Sequence, residues 1–155
     1  MKIIEQSDLK DIVRELKAAG KQIVFTNGCF DVLHVGHVRY LSEARKLGDI
    51  LIVGLNSDVS VCRLKGPERP VNTEQDRAEV LAALTAIDYI VLFEEETAEA
   101  LIPLVQPHIY VKGGDYEVKD LPEAGVVAGY GGEIVLIPEV TGKSTTNILR
   151  KLKGK

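Results

Sequence analysis

Short apolar runs alternate with longer stretches of helical periodicity along this chain. Leu9, Ile12, Val13 and Leu16 share one face between Ser7 and Ala19, which predicts a helix capped by Ser7 and stopped by Gly20. Ile23-Val24-Phe25 reads as a strand ending in Thr26-Asn27-Gly28. A helix is expected from about Gly36 to Gly48, with Val38, Leu41 and Ala44 facing inward. Ile50 to Leu55 is apolar on both faces, the pattern of a fully buried strand. Gly66, Pro67 and Pro70 make Leu64 to Asn72 a loop, after which Thr73 caps an acid-led helix reaching Leu84.

The second half continues the alternation. Ile87 to Phe93 predicts a strand, and a helix follows from about Thr97, where Pro103 imposes a kink or a late start. Ile109 to Val111 is a short strand, and Asp120 with Glu123 forms a capping box for a helix ending near Gly129. Glu133 to Ile137 is the last strand, and Ser144 caps a last helix ending with Lys151 and Lys153. Five strands alternating with helices predict one α/β domain over residues 1–155, its doubly wound parallel sheet covered on both faces. Ligands of such sheets lie beyond the carboxyl ends of the strands. Chemistry is therefore sought in Thr26–His37, Asn56–Asn72, Lys112–Tyr116 and Pro138–Thr146.

A length of 155 residues suits a single core of this kind. The net charge of −4 argues against a protein that coats nucleic acid, so a polyanionic ligand has to be met by a local group of cations. The longest apolar run, Ile50 to Leu55, is too short to cross a bilayer, and Met1 to Asp11 lacks a signal-peptide core. A cytoplasmic protein without membrane partners is expected. Cys29 and Cys62 suggest neither a disulfide framework nor a metal pair, and read as reduced, mostly buried thiols.

The most specific pattern is Thr26-Asn27-Gly28-Cys29-Phe30-Asp31-Val32-Leu33-His34-Val35-Gly36-His37. Two histidines flank a glycine at the mouth of a helix that follows the first strand. Free backbone N–H groups and the helix dipole favour phosphate there, and Gly36 lets it approach the backbone. Imidazole N–H groups of His34 and His37 would donate to phosphate oxygens as charge builds in a transition state. Zinc ligation is not expected, because three histidines and two cysteines show no HExxH or CxxC spacing.

Other segments supply cations and hydroxyls. Lys65 and Arg69 sit in the loop leaving the second strand, at the ligand edge. Arg77 lies one turn before Leu81 and is expected to face the crevice, an ion pair with Glu74 being the alternative. Lys112-Gly113-Gly114-Asp115-Tyr116 follows the fourth strand, and by itself reads as a glycine turn. Gly142-Lys143-Ser144-Thr145-Thr146 looks like half of a P-loop but follows the last strand and has no glycine at 137, so a Walker A reading fails. His108 stands outside any motif and is read as structural.

Thr26–Asp31, His34–His37, Asn56-Ser57-Asp58, Val61–Val71, Asp76-Arg77-Ala78, Lys112–Tyr116 and Gly142–Thr146 together resemble the cytidylyltransferase-like nucleotidyltransferases, in order from about Lys21 to Leu149. Within that superfamily the combination is most similar to the adenylyltransferases that make ADP-heptose from heptose 1-phosphate for lipopolysaccharide and related surface glycans. The resemblance implies a Rossmann-like five-stranded sheet in the order three-two-one-four-five. It also implies ATP and a phosphorylated sugar as substrates, Mg²⁺ carried with ATP, and a separate sugar kinase, the chain being a free-standing form that could act as a homo-oligomer.

The residue roles follow the same resemblance. His34, His37 and Lys65 would be catalytic. Thr26, Asn27, Gly28, Phe30, Asp31 and Gly36 would shape the nucleotide pocket, and Lys143, Ser144, Thr145 and Thr146 would sit beside the outer phosphates. Arg69, Arg77, Lys112, Gly114, Asp115 and Tyr116 would meet the sugar phosphate. Thr85 stands where some cytidylyltransferases keep an arginine, which weakens the case for a cytidine nucleotide. Glycerol-3-phosphate cytidylyltransferase and FMN adenylyltransferase are the alternative activities. A purely regulatory nucleotide-binding module is the other alternative, and intact His34, Gly36, His37 and Lys65 argue against it, since a binder needs no transition-state donors.

Overall fold

The computed structural model describes residues 1–114 and 116–154. Its strands are β1 (Ile3–Ile4), β2 (Ile23–Gly28), β3 (Ile50–Asn56), β4 (Tyr89–Phe93), β5 (Ile109–Gly113) and β6 (Glu133–Ile137). Its helices are α1 (Gln6–Ala18), α2 (Val35–Arg45), α3 (Asp58–Lys65), α4 (Glu74–Ala82), α5 (Ile102–Val105), α6 (Ala124–Gly129) and α7 (Thr145–Leu152). All the strand pairs are parallel, in the order β1-β4-β3-β2-β5-β6. The five strands anticipated from the sequence therefore lie in the expected order. A sixth, β1, is added at the edge through Ile3 beside Ile90 and Ile4 beside Val91.

Side-chain alternation assigns the helices to faces. Ile23 and Phe25 of β2, Ile52, Val91, Phe93 and Tyr110 pack on one face with Leu9 and Val13 of α1, Ile102 and Val105 of α5 and Val127 of α6. Val24, Leu51, Val53, Leu55, Ile90 and Val111 pack on the other with Leu41 and Ala44 of α2 and Ala78 and Leu81 of α4. Burying each such side chain contributes about 1.5–3 kcal/mol, which makes these two layers the main source of stability.

Local details depart from the sequence expectations where tertiary contacts compete with local signals. Ser7 does not cap α1, which starts after Glu5 without a side-chain cap. Val38 is exposed on α2 rather than inward, and Cys62 is exposed on α3. The segment after β3 is helical through Lys65, because Ser57 caps α3 by accepting from Ser60 N–H. Pro103 delays α5 to a single turn beginning at Ile102. The Asp120–Glu123 capping box does not form; Asp120 ends a 3₁₀ turn, and the Glu123 carboxylate turns inward to accept from Ala98 N–H. His108 is structural, its Nδ1 accepting from Ile23 N–H. Among the described residues no helix is long and apolar enough to cross a membrane.

Candidate active site

β2 and β5 pair only through Val24 with Ile109 and Phe25 with Tyr110. Beyond that point β2 continues to Gly28 paired with β3, and β5 continues to Gly113 paired with β6, so the two strands part from each other. The gap opens as a crevice of about 740 Å³ at the carboxyl end of the sheet. Tyr40 of α2 stands in it, its hydroxyl bonded to Thr26 Oγ1 and donating to Val111 O.

The turn after β2 is tightly folded. Phe30 has φ 45°, a left-handed conformation that costs a non-glycine residue about 1–2 kcal/mol. It brings the Phe30 ring back over Gly28, where a Cβ would come within 2.9 Å of Cε2, and against His37 with centroids 5.3 Å apart. Asp31 holds the turn in place. Its carboxylate accepts from Arg69 Nε at 2.7 Å and from the N–H groups of Val71 and Asn72. Burial works to raise its carboxyl, but the N–H groups of Asn72 and Val71 and the Arg69 guanidinium outweigh that and hold it below the usual range.

α2 then begins with the two histidines. His34 is its N-cap, and His34 Nδ1 accepts from Gly36 N–H at 3.0 Å. His37 Nδ1 accepts in turn from His34 N–H at 3.4 Å. With both Nδ1 atoms accepting, each ring is a neutral tautomer whose remaining donor is Nε2–H. The rings stack with centroids 3.9 Å apart, a spacing at which two imidazolium charges would repel. Burial, then the neighbouring His34, pushes His37 down to about 4; burial, then the Lys143 charge, lowers His34. Gly36 is explained differently from the sequence expectation. A Cβ there would lie 2.7 Å from His34 Cε1, so the glycine first of all makes room for the capping imidazole.

These shifts set an acid sensitivity. Between about 6.5, the ordinary histidine value, and about 4 the unfolded chain takes up a proton at position 37 that the folded chain refuses. Stability is then complete above about 6.5 and falls as pH drops toward about 4. Thermal unfolding across that window is expected to show a shallower slope in His37→Gln; an unchanged slope would place the acid sensitivity elsewhere.

Cations and hydroxyls ring the histidines. Lys65 at the end of α3 and Arg69 stand beyond β3; Lys112 at the end of β5, Tyr116, and Lys143 to Thr146 at the start of α7 stand beyond β5 and β6. Ser144 caps α7, and Thr145 Oγ1 donates to Val32 O, tying that helix start to the histidine turn. Asn27, Gly28, Phe30 and Asp31 line the middle.

Three expected site residues lie elsewhere. Thr26 is fully buried under the crevice, with its hydroxyl engaged by Tyr40. Gly114 has φ 108° and sets Tyr116, whose Cε2 a Cβ there would meet at 2.9 Å. Arg77 is 2 % exposed, outside the crevice lining, and clamps the surrounding backbone. Its Nε donates to Asn72 O, its Nη1 to Cys29 O and Asn56 O, and its Nη2 to Asp58 Oδ1. Glu74, the partner weighed for it, instead accepts from Asp58 N–H. Asp115 lies outside the described residues.

The sequence reading missed several lining residues: Cys29, Arg39, Tyr40, Glu43, Asn56 and Glu96. Arg39, Tyr40 and Glu43 carried a usable signal, since they follow Gly36 at three-, four- and seven-residue spacing on one helix face. Among the described residues no three His, Cys, Asp or Glu side chains gather as a metal cluster.

Neutral donors at a helix mouth, flanked on both sides by lysines, are suited to the polyphosphate chemistry of nucleoside triphosphates. The chain belongs to the cytidylyltransferase-like family, whose model matches residues 25–148. It is 52 % identical over 151 residues to the bifunctional protein HldE of Syntrophotalea carbinolica, a match covering 97 % of this chain and 31 % of that protein. With HldE of Aliarcobacter butzleri it shares 53 % over 146 residues, 94 % of this chain and 30 % of the relative. The chain thus spans less than a third of the length of these curated relatives. Among solved structures, a lipopolysaccharide core biosynthesis protein from Thermoplasma volcanium superposes with a TM-score of 0.63 at 29 % identity, covering 78 % of this chain and 98 % of that one. Pantoate-beta-alanine ligase from Francisella tularensis shares the fold, with a TM-score of 0.61 at 15 % identity over 99 % of this chain and 77 % of that one.

Proposed function

We propose that the chain transfers AMP from ATP to heptose 1-phosphate, giving ADP-heptose and pyrophosphate for surface-glycan synthesis. The paired Nε2–H donors of His34 and His37, fixed by their Nδ1 hydrogen bonds, carry the reading. Identity above 50 % to HldE proteins and likeness to a lipopolysaccharide core biosynthesis protein support the substrate. A phosphate oxygen of the sugar phosphate attacks the α-phosphorus in line, forming one P–O bond as the bond to the bridging oxygen of pyrophosphate breaks. A phosphate monoester is already ionised near neutrality, so no protein base is needed.

Catalysis is then positioning and charge stabilisation. His34 and His37 donate to the α-phosphate as the pentacoordinate centre forms. Lys143 and the helix start at Ser144–Thr146 hold the outer phosphates of ATP, which arrives with its Mg²⁺. Lys65, Arg69, Lys112 and Tyr116 meet the sugar phosphate. A kinase activity supplies heptose 1-phosphate, and the reaction is placed in the cytoplasm.

Pyrophosphate release from each nucleoside triphosphate, with heptose 1-phosphate, glycerol 3-phosphate or FMN as acceptor, tests the assignment. ATP with heptose 1-phosphate is expected to turn over fastest. Faster turnover of CTP with glycerol 3-phosphate would replace the substrate assignment while keeping the site.

A further inference from the structure

The core layer under α1, α5 and α6 is apolar except near the crevice. Tyr110 of β5 is fully buried there, its ring stacked on Phe25 with centroids 6.1 Å apart. Its hydroxyl donates to Asn27 Oδ1. Glu123, 1 % exposed, enters the same layer from the start of α6. One of its carboxylate oxygens accepts from Ala98 N–H, and the other has no partner among the described residues. Burying a hydroxyl and a carboxylate among hydrocarbon is unfavourable, and a phenylalanine at 110 would fill the same space without that cost. Burial, then the Glu123 carboxylate, raises the Tyr110 hydroxyl well above the ordinary tyrosine range, so it keeps its proton and remains a donor.

The partner of that hydroxyl lines the crevice. A carboxamide has one accepting and one donating end, and Tyr110 occupies the accepting end of Asn27. Gly54 of β3 lies beside Asn27, where a Cβ would come within 3.3 Å of Asn27 Cβ. Asn27 is therefore gripped between β3 and β5 with its Nδ2–H₂ end left for the crevice. Strand alternation also puts it on the sheet face opposite α2, so it reaches the crevice from the other side than His34 and His37.

Resting on the adenylyl-transfer reading above, we propose that Tyr110 is a positioning residue that holds the Asn27 carboxamide so that Nδ2–H₂ donates to a phosphate oxygen of the attacking sugar phosphate. In-line displacement sets the attacking and leaving oxygens on opposite sides of the α-phosphorus. With the outer phosphates beside Lys143 at the start of α7, the attacking oxygen approaches the α-phosphorus from the β3 side, where Asn27 meets Gly54 and Lys65 stands, and the rest of the sugar phosphate extends across the crevice toward Lys112 and Tyr116.

Tyr110→Phe keeps the ring and removes only the donor. Using the acceptor that wild type turns over, this variant is expected to raise the acceptor KM roughly 10-fold, the scale of one lost hydrogen bond. The KM for ATP should stay unchanged. In an Asn27→Ala background the same substitution should add nothing. Equal rises in both KM values, independent losses in the double variant, or an unchanged acceptor KM would overturn the proposal with the parent reaction intact. A wild type that turns over no nucleotide–acceptor pair would instead overturn the adenylyl-transfer reading. The hold on Asn27 is then read from ¹⁵N relaxation of its side-chain amide, expected to be rigid in wild type and mobile in Tyr110→Phe; equal mobility in both would overturn that hold.

Discussion

A His37→Ala protein is expected to lose kcat by on the order of 10² or more while binding ATP nearly as well as wild type. The ring is neutral across the working pH range, since burial and His34 push its pKa to about 4. Its Nδ1 is occupied by His34 N–H, so Nε2–H is the one donor it offers the crevice. An α-phosphate in the ground state already carries charge and takes some benefit from that donor. The larger benefit comes as the pentacoordinate centre forms and density moves toward the departing pyrophosphate. A preorganised donor of this kind is worth roughly 2.7–4 kcal/mol of barrier in comparable sites. Single-turnover rates with calorimetric ATP binding separate the two effects. A near-normal kcat would remove His37 from the chemistry, and a loss of ATP affinity matching the loss of kcat/KM would make it a uniform binder.

The five main strands and the histidine crevice were legible because each rests on a local pattern, whereas the strand order followed from the resemblance. Ile50 to Leu55 is apolar on both faces, and the two histidines straddle a glycine directly after a strand. Illegible features depend on distant partners. β1 is two residues long and exists because Ile90 and Val91 present an open edge to it. Glu123 matched a capping-box pattern, yet the buried N–H of Ala98 competes for its carboxylate and wins. Tyr40 and Tyr110 were concealed for a related reason. In sequence they look like ordinary apolar positions of a helix and a strand, and only the fold shows that their hydroxyls brace Thr26 and Asn27 from opposite faces of the sheet. Gly36 shows the limit from the other side: the position does require a glycine, but the atoms that need the space belong first to His34.

Arg77→Ala is expected to destabilise the fold by about 3 kcal/mol or more and to lower the melting temperature by roughly 10 °C, at about 2–4 °C per kcal/mol for a chain of this size. Helical spacing had set Arg77 on the inner side of α4, and the structure closes it off from solvent beneath the crevice. The substitution leaves the carbonyls of Cys29, Asn56 and Asn72 without their buried donor, each a cost of about 1–3 kcal/mol before relaxation. It also opens a cavity where the guanidinium lay. The ion pair with Asp58 adds little to this sum, because the Asp58 side chain is 40 % exposed and solvent screens it. Arg77→Lys should recover only part of the loss, since one ammonium cannot reproduce the planar fork that reaches four acceptors. Catalysis falls as a consequence, because Cys29 and Asn72 flank the turn that seats His34 and His37. Denaturant unfolding of both variants beside steady-state kinetics decides the matter: an unchanged unfolding midpoint with a raised substrate KM would return Arg77 to the role of a substrate ligand.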